Sequence, residues 1–251
     1  MLDENVVITH VNPKSPISEA YRVLRTNIQY SSIDKPLRTI VVTSSGPMEG
    51  KSTTAVNLAV AFAQAGSRVL LIDSDLRKPM IHKIFMLSNK TGLTNLIAAH
   101  DNDYKKYIRL SEIPNLEILP SGTIPPNPSE LLSSKSFIQF IHGAGEIYDM
   151  IVLDAPPVGN VTDAAIISAF VDGTIIVVNS GRVKIDALKR TKELLTNVNA
   201  NILGIVLNNL DKHASGNYYY YQYDYYNEEE KKEKNKKRKK RSRQFEDNIG
   251  D

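Results

Sequence analysis

The 251-residue sequence contains no cysteine and no tryptophan. Without cysteine there is no disulfide, no thiolate metal site and no cysteine nucleophile, and the chain suits a reducing compartment. The five histidines, His10, His82, His100, His142 and His213, form no close pair along the chain, which argues against a histidine-built metal site. No apolar run reaches the length of a bilayer span. The opening MLDENVV lacks the basic-then-apolar layout of a secretory signal. A cytoplasmic protein that does not cross a membrane by itself is the expectation. No Gly-x-Ser-x-Gly elbow occurs, so a serine hydrolase has no support. The first strand–helix loop is not G-x-G-x-x-G, which weakens a dinucleotide-binding reading.

What is present is unevenly distributed. Tyrosine outnumbers phenylalanine 12 to 6, and seven of the tyrosines, Tyr218, Tyr219, Tyr220, Tyr221, Tyr223, Tyr225 and Tyr226, fall in one short stretch. The net charge of +3 conceals a nearly neutral body, with 20 basic and 19 acidic residues over 1–210. Residues 231–243 alone hold ten Lys/Arg and one acid, directly after Glu228, Glu229 and Glu230. The balance of charge therefore says more about a tail than about a folded domain.

Along the chain, 1–14 reads as an extended arm. A helix follows Pro16, with Ile17, Tyr21, Leu24 and Ile28 striping one face and Glu19, Arg22 and Arg25 on the other. From 38 to 210, short Val/Ile/Leu runs at 39–42, 69–72, 116–119, 150–153, 174–178 and 202–207 read as strands buried on both faces. Helical stretches at 51–65, 79–87, 128–141, 162–170 and 183–198 lie between them, the first ending at Gly66. This alternation predicts an α/β fold with a mostly parallel, doubly wound sheet. Three parts are expected: an arm and helix over 1–34, a nucleotide-type domain over 35–210, and a disordered, tyrosine-rich and basic tail over 211–251.

Three segments carry chemistry. In TIVVTSSGPMEGKSTT a strand feeds a loop that opens a helix at Lys51. The loop is close to G-x-x-x-x-G-K-[ST], whose backbone N–H groups wrap phosphate oxygens at a helix N-terminus. Ser45, Gly46, Pro47, Met48, Glu49, Gly50, Lys51, Ser52 and Thr53 would form the cradle for ATP, with Lys51 on the β/γ-phosphates and the Ser52 hydroxyl on Mg²⁺. The pattern departs at its first position, which is Ser45, and at Met48, where a small residue is usual. In VLLIDSDLRKP, Asp73 and Asp75 end a strand and point to one side; they suit one carboxylate near Mg²⁺ and one near a nucleophilic hydroxyl, while Arg77 could pair with either or touch phosphate. In MIVLDAPP, Asp154 ends another strand as a Walker B aspartate does. A fourth segment, GIVLNNLD, places Asn208 where it would read an adenine edge or cap the strand. Guanine is the lesser alternative, because the Lys of N-K-x-D is absent.

Taken in order, these segments resemble the bacterial tyrosine kinases (BY-kinases) of the capsular and exopolysaccharide type, in the form with a separate membrane adaptor. Glu19, Arg22 and Arg25 of SEAYRVLRTNI match that family's E-x-x-R-x-x-R oligomerisation motif. The Walker A-like loop, IDSDLRKP, PSGTIPPNPSELL and VLDAPP match its further motifs, and Tyr218–Tyr226 match its tyrosine cluster. The resemblance implies a P-loop NTPase fold of the deviant Walker ATPase type. It implies ATP and Mg²⁺ as cofactors, with Ser52, Asp75 and Asp154 on the ion and Asp73 as base for the tyrosine hydroxyl. It further implies autophosphorylation of the clustered tyrosines between subunits of a homo-oligomeric ring, control of polysaccharide synthesis or export, and a transmembrane adaptor of the polysaccharide co-polymerase type that supplies an activating segment and holds the kinase at the inner face of the membrane. A cognate tyrosine phosphatase is implied as well.

The tail has its own arithmetic. Residues 211–226 could extend roughly 50 Å at about 3.3 Å per residue, enough to visit an adjacent subunit. Each phosphotyrosine adds about −1.5 to −2 charges, so phosphorylation is expected to loosen a ring held partly by Glu19, Arg22 and Arg25. The 231–243 run could meet anionic lipid, phosphotyrosine or nucleic acid, or simply be solvated; nucleic acid is not the expected partner. The rival to a kinase is a P-loop ATPase switch of the partitioning type, with the tail as a binding module.

Overall fold

In five of the six Val/Ile/Leu runs successive side chains enter two different cores. Val41, Leu70, Ile72, Ile151 and Leu153 pack into one; Ile40, Val42, Val69, Leu71, Met150 and Val152 pack into the other. That period-2 division is what a parallel strand covered on both faces produces. The sixth run, 202–207, lies at the sheet edge with Ile205 and Leu207 exposed, so it is not buried on both faces as its pattern suggests. In a computed structural model of the chain, residues 2–32, 36–99 and 103–210 are described. The chain divides into two units, Met1–Asn209 and Leu210–Asp251. The tyrosine cluster, the basic run and the expected tail disorder lie outside the described residues, as does the 34/35 boundary.

The strands are β1 (Thr39–Ser44), β2 (Val69–Asp73), β3 (Arg109–Leu110), β4 (Leu116–Leu119), β5 (Met150–Asp154), β6 (Gly173–Asn179) and β7 (Ile202–Asn208). They form one sheet in the order β3-β4-β2-β5-β1-β6-β7. All pairs are parallel except β3 with β4. The register sets Asp73 opposite Asp154 across β2 and β5, and Val42 of β1 opposite Asp154. The chain leaves β1 for β2 across β5, while β6 lies on the other side of β1. Such a reversal opens a crevice at the carboxyl ends of the strands.

The helices are α1 (Ile8–Val11), α2 (Pro16–Tyr30), α3 (Lys51–Gln64), α4 (Ile81–Ile84), α5 (Leu93–Ala99), α6 (Pro128–Leu132), α7 (Lys135–Gly145), α8 (Asp163–Ser168) and α9 (Ile185–Thr196). Residues of α3, α4 and the N-terminal arm fill one core and residues of α5, α7 and α8 the other, which is the doubly wound arrangement. Three differences from the sequence pattern have local causes. The stretch 128–141 is two helices, because the Ser134 hydroxyl accepts from Phe137 N–H and starts α7 afresh. The stretch 79–87 shortens to one turn, since Met86 turns to φ 50°. The arm is not extended throughout: it contains α1, and Val7 is fully buried.

The arm also rolls α2. Ser15 caps the helix by accepting from Ser18 N–H, and the buried Ser18 hydroxyl donates to Asn12 O at 2.6 Å. With Ser18 and Ile28 inward, Ile17 is left 58 % exposed rather than on the buried stripe. Asn57, buried inside α3, fastens the arm. Its Oδ1 accepts from Thr9 N–H and Thr9 Oγ1 at 2.9 and 2.7 Å, and its Nδ2 donates to Val6 O and Thr53 O. Asn57→Ala strands these groups and should lower unfolding free energy by roughly 2–3 kcal/mol. Urea denaturation checks it; a loss below about 0.5 kcal/mol, the scatter of neutral surface changes, would mean the arm is not held there.

Candidate functional site

Three strands deliver the site. After β1 the loop Ser45–Gly50 turns into α3, and Gly50 is the N-cap residue at φ 93°. A Cβ on Gly50 would lie 2.0 Å from Asn208 Nδ2, so only glycine fits there. Asn208, at the end of β7, donates from that Nδ2 to Glu49 O at 3.0 Å. It therefore braces the phosphate loop rather than capping its own strand. The two departures of the loop from the pattern are also accommodated. Met48 takes φ 59°, a costly value for a side chain of its size, but its side chain is 88 % exposed and displaces nothing. Ser44 Oγ donates to Gly46 O at 2.7 Å, steadying the turn where the first glycine is missing. Ser45 is buried, and Gly159, after β5, presses against it: a Cβ there would meet Ser45 O at 2.3 Å. The sequence marks Gly159 only as part of a Pro-Pro-Val-Gly turn.

Glu49 is a buried carboxylate within this anion-binding loop. Burial raises its pKa, while N–H groups of Gly46, Ser45 and Asn179 pull the other way. Lys51 opens α3 and reaches across to the other strands. Its Nζ lies 2.9 Å from Asp75 Oδ2, 3.3 Å from Asp154 Oδ1 and 3.2 Å from Ser52 Oγ. Burial alone would lower its pKa, but Asp154 and Asp75 more than offset that and hold it protonated. Asp73 and Asp154 are fully buried. Burial first, and then the facing Asp154, pushes the Asp73 carboxyl well above the carboxylate range; burial raises Asp154 too, against the pull of Lys51.

Asp73 and Asp75 do not share one environment, although they are two residues apart. Asp73 Oδ2 accepts from Met80 and Ile81 N–H at 3.0 and 2.9 Å. Asp75 Oδ1 accepts from Lys78 N–H, and its other oxygen meets Lys51. Arg77 touches neither: it forms a two-pronged pair with Asp163 at the start of α8. Three carboxylates thus surround one ammonium. Asp73 Oδ1 and Asp154 Oδ2 are buried without a hydrogen-bond partner, so a proton or a cation would be accommodated there. Among the described residues no three acidic or histidine side chains are grouped to hold a metal by themselves, so such a cation would need other oxygens as well.

The helix α2 packs along α3, with Tyr21 beside Thr54 in its first turn. Arg22 pairs with Glu19 at 2.6 Å. Arg25 turns inward instead of outward, donating to Ala61 O of α3 at 3.1 Å. No helix among the described residues is long and apolar enough to cross a membrane.

Comparison with known proteins places this arrangement. Residues 37–205 match the family described as AAA domain. The chain is 43 % identical over 215 residues to the tyrosine-protein kinase YwqD of Bacillus subtilis, covering 85 % of this chain and 90 % of that protein. It is 36 % identical over 219 residues to the tyrosine-protein kinase CpsD of Streptococcus agalactiae, covering 85 % and 94 %. Among solved structures, the chimerical protein CapA2B2 superposes with a TM-score of 0.79 at 43 % identity over 84 % of this chain and 93 % of that one. The kinase domain of the Escherichia coli tyrosine kinase ETK gives 0.79 at 31 % identity over 84 % and 83 %. The cell division ATPase MinD of Pyrococcus furiosus gives 0.56 over 68 % and 71 %, so the wider P-loop fold is shared more loosely.

The crowding of carboxylates has a measurable cost. Asp73→Asn removes one like charge and keeps an oxygen for the Met80 and Ile81 N–H groups. Without nucleotide at pH 7, Tm should rise by roughly 2–4 °C. The advantage should shrink on acidification. A carboxyl raised in the folded state takes up a proton on folding, so it adds stability at low pH that is lost as pH climbs through the folded pKa. A Tm at pH 7 equal to or below that of the wild type would contradict the crowding.

Proposed function

The chain belongs to the bacterial tyrosine-protein kinases of the capsule type, and from that premise we propose that it transfers the γ-phosphoryl group of ATP to Tyr218–Tyr226 of a neighbouring copy. The observation that carries the reading is the meeting of Lys51, Asp75 and Asp154 at the mouth of the phosphate loop, with Asp73 behind them.

In the free protein Lys51 acts as the counter-ion for Asp75 and Asp154. When nucleotide enters, its ammonium turns to the β/γ-phosphates, and the N–H groups of the loop and of the first turn of α3 hold the remaining oxygens. Ser52, Asp75 and Asp154 would hold Mg²⁺, which when bound would offset negative charge on the phosphates. The unpartnered Oδ2 of Asp154 fits that cation, and the unpartnered Oδ1 of Asp73 is left for the tyrosine proton. The tyrosine oxygen attacks phosphorus in line, the bond to the ADP oxygen breaks, and the phenolic proton passes to Asp73. A free tyrosine has a pKa of about 10, so a carboxylate lifted above its ordinary value by burial is the better matched base. Asn208 holds the loop, and in this reading its amide would also meet the adenine edge.

The physiological setting follows the family: regulation of capsular or exopolysaccharide synthesis, a ring of like subunits to which Glu19 and Arg22 contribute from a helix that Arg25 seats on Ala61 O, and a transmembrane adaptor that activates the chain and brings it to the inner face of the membrane. A tyrosine phosphatase would reset the tail. Purified protein given ATP and Mg²⁺ should acquire phosphate on the 218–226 tyrosines, mapped by mass spectrometry, and Lys51→Met should reduce it by about 100-fold or more, the scale of losing a phosphate-clamping charge. Equal labelling of wild type and Lys51→Met would sink the kinase reading.

A further inference from the structure

Arg77 sits two residues beyond Asp75, yet its guanidinium leaves that carboxylate and crosses to α8. Nε and Nη2 donate to Asp163 Oδ2 and Oδ1 at 2.9 and 3.0 Å, a fork-on-fork geometry. Nη2 also donates to Ser129 Oγ at 3.2 Å, and Ser129 Oγ donates to Asp163 Oδ1 at 2.7 Å. Asp163 is fully buried, while the Arg77 side chain is 39 % exposed. A buried carboxylate with two charge-assisted partners is costly to break.

The position of the knot gives it meaning. Arg77 belongs to the segment after β2 that carries Asp75. Ser129 belongs to α6, within the PSGTIPPNPSELL segment. Asp163 opens α8, which ends the loop that leaves β5 after Asp154. One hydrogen-bonded node therefore ties together the segments that follow the two carboxylates proposed to hold Mg²⁺, Asp75 and Asp154. We infer that Arg77, acting through Asp163 and Ser129, is a positioning residue for phosphoryl transfer: it sets the spacing of Asp75 and Asp154 and has no contact with nucleotide or tyrosine. Lysine cannot replace it, because an ammonium has no planar fork to span both carboxylate oxygens.

The inference rests on the kinase reading, and its test separates the two. For wild type, Arg77→Lys, Ser129→Ala and the double variant, kcat and KM for ATP in tail phosphorylation are measured. The affinity for a fluorescent ADP analogue is measured with and without Mg²⁺, and Tm is recorded for each. Arg77→Lys should lower kcat by about 10- to 100-fold, the scale of a small misplacement at a reacting centre. KM for ATP and the Mg²⁺-free ADP affinity should stay within about threefold, since no uniform binding contact is lost. The gain in ADP affinity on adding Mg²⁺ should shrink. Ser129→Ala should do the same more mildly, and it carries the test if Arg77→Lys fails to fold. The double variant should lose less than the product of the single losses, as members of one network do.

Two results overturn the inference. If Arg77→Lys weakens Mg²⁺-free ADP binding by about tenfold with kcat intact, Arg77 touches the nucleotide. If only Tm falls while kcat and the Mg²⁺-dependent gain persist, the node is a stability clamp. A wild type that makes no phosphotyrosine would defeat the kinase reading, and the Mg²⁺-dependent ADP measurement would still report on the node.

Discussion

One half-buried ammonium, that of Lys51, keeps the carboxyl edge of this sheet from repelling itself. Asp73, Asp75 and Asp154 arrive there because parallel strands end together, and β2 and β5 are adjacent with Asp73 facing Asp154. Charges so close and so dry cannot all be carried without compensation. Lys51 bridges Asp75 and Asp154, and the N–H groups of Met80 and Ile81 soften Asp73. An excess of negative charge remains, and with it buried oxygens without partners. The free protein thus stores an electrostatic demand that a divalent cation would meet, and Lys51 would then be released to a nucleotide's phosphates. Stability and function pull in opposite directions at this edge, as they commonly do at sites built for chemistry.

The rest of the fold serves to hold that edge still. The period-2 division of apolar side chains buries the sheet on both faces, so the strand ends cannot slide relative to one another. Asn208 fixes the phosphate loop from β7, Gly159 presses on it from the loop after β5, and Asn57 fastens the arm to α3 about two turns beyond the loop. The node of Arg77, Ser129 and Asp163 closes the remaining side. Phosphoryl transfer asks the protein for little covalent chemistry and much placement, and these braces are the form that placement takes.

How much of this could be read from the sequence depends on the range of the interaction. Strand runs were legible because burial on both faces leaves an unbroken apolar signature, and Lys51, Asp73, Asp75 and Asp154 because strand ends and a Gly-Lys-Ser turn are local. The inward roll of Arg25 was not legible: it follows from Ser18 reaching back to Asn12, a contact that the helical stripe of Ile17, Tyr21, Leu24 and Ile28 does not encode. The partner of Arg77 stands 86 residues away, so composition offered Asp73 and Asp75 as nearer alternatives. The edge strand β3, two residues long, and α5, seven residues long, were too short for periodicity to register. The break before α7 did have a signal, a serine three residues ahead of Phe137, hidden in an otherwise continuous helical pattern.

The most direct test of the account is the position of Lys51 once Mg²⁺ and a non-hydrolysable ATP analogue are bound, determined by crystallography of the full chain. The account predicts that Nζ leaves Asp75 Oδ2 and Asp154 Oδ1, now 2.9 and 3.3 Å away, and donates to phosphate oxygen, with the cation taking over the two carboxylates. If Lys51 keeps both ion pairs while nucleotide is bound, it is a structural counter-ion only, and the central claim fails.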